Sequence, residues 1–245
     1  MLAGKLLARG MICGIAAALL AFAFARLFGE PQVDLSIAFE AARNAAAGES
    51  PEPELVSRTT QAGWGLLTAI LMYGAAYGGL FAIAFSTAYG RLATWNARTL
   101  SAIMAALGFL AIVLIPDLKY PPNPPAVGAP ETIALRTAAY FTMLAISLCA
   151  IVIASLITKR LAQRLGPWNA TLCGGASFLL IVAITQALLP DISEVPSAFP
   201  ATLLWRFREA SIGMQISLWT TLGLTFGPLA ERLLEGHRTP HSNRR

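Results

Sequence analysis

Charge is scarce in this chain. Only 13% of its 245 residues are Asp, Glu, Lys or Arg, while 56% are hydrophobic. A soluble domain carries about a quarter charged residues. Lysine is rarer still, present at Lys5, Lys119 and Lys159 alone, too little for an ordinary solvated surface. These shortages exclude a soluble globular protein and leave an integral membrane protein whose first partner is the lipid bilayer.

Metal-binding and catalytic side chains are also short. The histidines are His237 and His241, both in a polar tail. Cys13, Cys149 and Cys173 stand singly in apolar segments with no CxxC, and read as small buried packing residues. Met11, Met72, Met104, Met143 and Met214 read the same way. Oxygen ligands alone select poorly for a late divalent metal. The chain therefore lacks a selective transition-metal site of its own, and its metal ligands stay unknown. No P-loop, HExxH or GxSxG is present, which leaves no recognisable ATPase or hydrolase, no enzyme and no bound cofactor. The net charge of +5 does not indicate nucleic acid, because the basic residues fall at the ends of apolar runs rather than in a patch.

What is present is a succession of apolar runs. They predict an all-α polytopic bundle of about six transmembrane helices, near residues 10–28, 63–88, 99–115, 137–157, 169–189 and 210–227. These form a single transmembrane domain over residues 1–230, followed by a basic cytoplasmic tail at 231–245. The first run competes with a signal peptide, since Ala23-Phe24-Ala25 mimics a cleavage site; Phe24 and Phe28 carry it past that point. Residues 29–60 read as an extracytoplasmic loop holding a short helix, with Asp34 as N-cap and Gly48 as stop. Gly227-Pro228 ends the sixth run. Six spans put both termini on one side. That side carries eleven Lys and Arg against Glu231 and Glu235, while the other carries seven basic and eleven acidic residues. The excess marks the terminal side as cytoplasmic.

The chain also repeats itself. Arg91-Leu92-x-x-Trp95-Asn96-Ala97 recurs as Arg164-Leu165-x-x-Trp168-Asn169-Ala170, and Pro116-Asp117 as Pro190-Asp191. Gly29-Glu30-Pro31 with Arg58-Thr59 fits more loosely. Three parallel helical hairpins follow, an arrangement that builds transporters with sites at repeat interfaces; the bland alternative is that these residues only mark helix ends. The Trp-Asn pairs should anchor and cap helices. Gly10-x3-Gly14, Gly74-x3-Gly78 and Gly223-x3-Gly227 permit close helix contacts, but such spacings arise easily in a chain rich in Gly and Ala and single out no interface.

The candidate functional residues lie in the loops between runs. They are Asp117, Lys119, Asn123, Glu131 and Arg136 in one, and Asp191, Glu194, Arg206, Arg208 and Glu209 in the other. Arginines and acids from different hairpins should pair around a shared outer vestibule, with Asp117 and Asp191 attracting a cation. Arg206 and Arg208 are two apart on a helix, so one can face the bundle while the other snorkels outward.

Three segments carry a family resemblance: Ala21-Phe22-Ala23-Phe24-Ala25-Arg26-Leu27-Phe28-Gly29-Glu30-Pro31, Leu118-Lys119-Tyr120-Pro121-Pro122-Asn123-Pro124-Pro125-Ala126-Val127-Gly128, and Phe199-Pro200 through Trp205-Arg206-Phe207-Arg208. Through them the chain resembles the CbtA-type cobalt transporter subunit family over nearly its whole length. The resemblance implies a multi-pass protein of a bacterial cytoplasmic membrane, taking up cobalt as substrate and linked to cobalamin supply. It also implies a small CbtB-type partner with one span and a histidine cluster, which would supply the imidazoles missing here. A homo-oligomer is compatible with it. The rival reading is an accessory or assembly protein with no transport activity of its own.

Overall fold

Proline stands at several of the places where these helices change form. In the computed structural model, which describes residues 2–49, 55–91 and 95–235, no strand occurs among the described residues. Helix α1 (Leu2–Phe24) does not stop at the expected boundary. It passes through a π-turn, Ala25–Gly29, into α2 (Glu30–Ala46). Pro31 stands in the first turn of α2, where its missing N–H leaves a gap in the α ladder, and the wider π-turn takes up the irregularity. Asp34 is consequently an interior residue of α2 and not an N-cap. Gly48 does end the helix, at φ +75, as a left-handed glycine can.

A π-turn recurs without a proline: helix α3 (Arg58–Thr60), capped by Ser57 Oγ, leads through Gln61–Gly65, which holds two glycines, into α4 (Leu66–Ala88). Helix α5 (Ala97–Phe109) passes through a π-turn at Leu110–Leu114 into α6 (Ile115–Lys119), with Pro116 in its first turn. A 3-10 turn, Pro130–Thr132, opens α7 (Ile133–Leu188), and α8 spans Ala201–Glu235. Helix α7 is broken once, at Gly166 (φ 76, ψ 162), with Pro167 opening the second half, the usual pairing of terminal glycine and first-turn proline. Helix α8 runs on through Pro228 to Glu235, where the sequence predicts a stop. Among the described residues four segments are long and apolar enough to cross a membrane: Leu2–Ala46, Arg58–Ala88, Ala97–Lys119 and Pro130–Leu188. The histidines and the last ten residues of the tail lie outside the described residues.

The chain divides into two compact units. The first comprises Met1–Phe28, Pro53–Ala106 and Gly213–Arg245. Its tightest contact crosses α1 and α4. A Cβ on Gly14 would lie 2.0 Å from the Gly74 carbonyl oxygen, and one on Gly78 would lie 2.0 Å from that of Gly10. The third glycine pair does the same work, since a Cβ on Gly223 would meet Ala105 Cβ at 2.5 Å and one on Gly227 would meet Arg98 Cα at 2.8 Å. All three spacings thus mark real interfaces. Ser101 Oγ, buried, donates to the Gly223 carbonyl at 2.7 Å, Arg98 pairs with Glu231 at 2.5 Å, and Arg9 donates to the Leu229 carbonyl.

The second unit comprises Gly29–Glu52 and Leu107–Ile212. The halves of α7, residues 133–165 and 167–188, contribute Met143, Ala150, Phe178 and Val182 to its main apolar cluster, joined by Ile115 and Tyr120. Of the cysteines only Cys13 is buried, while Cys149 and Cys173 are exposed on α7. The expectation of three core thiols fails because an apolar chain in lipid faces small apolar residues outward as readily as inward.

Candidate functional site

The proline-rich stretch after α6 has little regular structure, so other groups must hold it. Each part of it has a partner within the second unit. Lys119, which ends α6, forms an ion pair with Asp191. Tyr120, buried, donates its phenol hydroxyl to the Pro190 carbonyl at 2.8 Å; burial pushes that phenol above its usual pKa. Arg208 near the start of α8 donates to Asn123 Oδ1 at 2.9 Å and to the Pro122 carbonyl at 3.3 Å. Burial lowers the pKa of its guanidinium, which stays charged all the same.

Pro124 is fully buried. Val127 N–H closes a turn onto the Pro124 carbonyl at 3.2 Å, with Pro125 and Ala126 at its centre. Ala126 sits at φ 69, where a type II turn favours glycine. Val127 then packs with Phe199 and Leu203, and Phe39 of α2 meets Phe199 edge-on at 5.1 Å.

Deeper in the cluster, Glu194 receives both Arg136 and the Thr132 hydroxyl. Gly128 lies directly against this pair. At φ +134 it holds a backbone shape that side chains rarely adopt, and a Cβ there would come within 2.7 Å of Arg136 Nη1 and 3.3 Å of Glu194 Oε2. Gly128→Ala is therefore expected to destabilise by about 1–3 kcal/mol and to loosen the Arg136–Glu194 pair. Limited proteolysis of the purified protein, with cleavage appearing between residues 120 and 130, is the measurement.

The two ion pairs are unequal. The Asp191 side chain is 94% exposed and that of Glu194 only 5%. The Lys119 side chain is itself only 15% exposed, so the difference lies in the acid left behind. An exposed carboxylate is solvated and its pairing contributes about 0–1 kcal/mol, whereas a buried carboxylate stripped of its partner costs about 3–5 kcal/mol. Lys119→Met should leave thermal stability nearly unchanged, while Arg136→Met should lower Tm markedly; equal effects from the two would refute this ranking.

The remaining predicted residues fall elsewhere. Arg206 and Glu209 are exposed while Arg208 is half-buried, the division that their helical spacing implies, and Glu131 is exposed in the 3-10 turn. Asp117, half-buried on α6, makes no hydrogen bond or ion pair with the described residues. Among the described residues no group of three or more His, Cys, Asp or Glu side chains comes together to hold a metal. Tyr120, Thr132 and Gly128 belong to the cluster although none of them is among the candidate functional residues that the sequence offers. A glycine ending a proline run was a readable sign for Gly128, whereas nothing local pairs Tyr120 with Pro190.

Residues 3–231 match the family model described as CbtA, probable cobalt transporter subunit. The chain belongs to the CbtA family. No curated protein and no solved structure matches it. For a CbtA protein the description names a subunit of a membrane transporter, in keeping with the apolar helices above. The Lys-Tyr-Pro-Pro-Asn-Pro-Pro-Ala-Val-Gly string that carried the resemblance to CbtA is thus the packed centre of the loop cluster.

Proposed function

We propose that this chain is the permease-like subunit of a cobalt uptake system in a bacterial cytoplasmic membrane, serving cobalamin supply, with cobalt as cargo. It crosses the membrane six times as three parallel hairpins. The break at Gly166 divides the longest apolar segment into residues 133–165 and 167–188, each exceeding the ~20 residues that a span needs. Helix α8 supplies the sixth crossing. The basic excess keeps both termini cytoplasmic, and the loop cluster forms the outer mouth.

One observation carries the reading. Of the acids expected to attract the cation, Asp191 is neutralised by Lys119, as Glu194 is by Arg136. Asp117 keeps its carboxylate half-buried without a cation beside it. An unmatched carboxylate at the end of an apolar segment is costly unless it serves a positive ligand. Asp117 is therefore the group that meets the ion, while Lys119, Asn123, Arg136 and Arg208 hold the loops around it. Glu131, Arg206 and Glu209 lie at the rim, where exposed charge affects capture rather than binding.

The missing imidazoles come from a histidine-rich single-span subunit. Cobalt accumulation in a host without its own cobalt uptake, expressing this chain alone or with such a partner, tests the whole. Accumulation above the empty host is expected when both are present. None in either case, with insertion confirmed, would sink the proposal and leave the assembly role, which the lack of a three-ligand group among the described residues favours.

A further inference from the structure

Hydroxyls in these helices have a settled habit. In α7, Thr142, Ser155, Thr171 and Thr185 each donate to the carbonyl four residues earlier, at 2.7–2.8 Å, which satisfies the hydroxyl at little cost to the helix. Ser147 departs from it. The residue is fully buried and its Oγ has no hydrogen-bond partner. In the second half of the same helix, the Gln186 Nε2 is also buried without a partner.

The two groups lie at similar levels. A Cβ on Gly174 would meet Thr158 Oγ1 at 2.0 Å and the Ala154 carbonyl oxygen at 2.8 Å, which fixes the antiparallel register of the two halves. Counted from there at 1.5 Å per residue, Ser147 and Gln186 stand within roughly 2–7 Å of each other along the helix axis. Their helical neighbours, Met143 and Ala150 on one side and Val182 on the other, belong to one apolar cluster that Tyr120 completes. The Tyr120 hydroxyl sits on the Pro190 carbonyl, one turn beyond Gln186. A hydroxyl and an amide left dry in such a cluster carry a heavy desolvation cost. Water bonded to both removes it, since a buried water needs only a few polar partners.

We propose that Ser147 and Gln186 form an internal hydration site, holding one or two waters between the halves of α7 next to the Tyr120–Pro190 closure. The hydroxyl both donates and accepts, and the amide donates, so a water between them completes both. For a hydrated cation the site offers exchangeable oxygens partway along the helix pair. That use rests on the transport reading; the site itself does not.

The test is hydroxyl-radical labelling by a radiolytic pulse on the purified full-length protein, without cobalt, read as sulfoxide at each methionine. Met143 is fully buried and one turn from Ser147, so a radical made on bulk water does not reach it, whereas one made on a water at Ser147 does. Met143 is expected to label in the wild type. Labelling should fall roughly fivefold or more in the Ser147→Ala/Gln186→Leu variant, with the other methionines unchanged. The melting temperature should not rise, because the groups removed were already satisfied. Should the double variant fail to fold, Ser147→Ala alone is expected to reduce the labelling. A silent Met143 in the wild type, equal labelling in the variants, or a variant melting several degrees higher would each overturn the proposal. Since no cobalt enters the assay, its failure is distinct from failure of the uptake experiment.

Discussion

Gly14→Leu is expected to remove nearly all folded protein from the membrane. The physical basis is the backbone approach of α1 and α4, where a first side-chain atom at Gly14 would sit 2.0 Å from the Gly74 carbonyl oxygen and 3.0 Å from Gly78 Cα. These are main-chain atoms, so no rotamer change relieves the clash and the helices must part. Parting them breaks the packing that holds apolar helices together when the hydrophobic effect between them is weak. The cost is expected to exceed about 4 kcal/mol, the range in which single changes unfold a protein of ordinary stability. Gly63→Leu is the control, because a Cβ there meets nothing within 4 Å. The measurement is the monodisperse fraction of a fluorescent fusion on size exclusion after detergent extraction. A normal peak for Gly14→Leu would refute the helix contact.

Asp117→Asn has the second large effect, and on a different quantity. The substitution keeps the shape and removes the charge, so a carboxylate that meets a divalent cation should lose at least tenfold in cobalt accumulation at low external cobalt, about 1.4 kcal/mol. Stability should hold or rise, because the group removed is a half-buried charge with no ion partner among the described residues. Stability exchanged for activity is the signature of a functional group rather than a structural one. Protein amount and cobalt content are measured in the same cells. Loss of both together would make Asp117 structural, and no change in either would remove it from the ion's route.

How far such residues were legible varies with how local their cause is. Asn96 and Asn169 occupy identical Trp-Asn-Ala motifs, yet only Asn96 caps a helix, accepting from the Thr99 N–H at 2.8 Å. Before Asn169, Gly166 and Pro167 have already closed one helix and opened the next, so Asn169 lies inside and donates to the Leu165 carbonyl instead. Two residues upstream decided the matter. Gly227-Pro228 reads as a stop, but Pro228 lies in a continuing helix, and Pro31 and Pro116 stand in the first turns of helices that follow π-turns. A proline removes a donor locally, and only the surroundings determine whether a π-turn absorbs the loss. The glycine spacings were visible from the start, yet which helices they join depends on tertiary packing. The sequence suggests acids pairing with arginines, and Arg136 with Glu194 is such a pair, while Asp191 takes a lysine instead. The particular partners, Lys119 with Asp191 and Arg136 with Glu194, were not legible, since nothing local brings residues 58–72 positions apart together.

Those separations also impose an order in time. Lys119 is made 72 residues before Asp191, Arg136 is made 58 before Glu194, and Asn123 is made 85 before Arg208. At synthesis rates of about 5–20 residues per second, the first partners wait roughly 3–17 s for the second. Through that interval the loop must stay hydrated and shapeless, and its run of prolines suits the need by refusing to form premature helix or sheet. The loop cluster is therefore the last part of its unit to be finished, closing only after both halves of α7 and the start of α8 have been delivered.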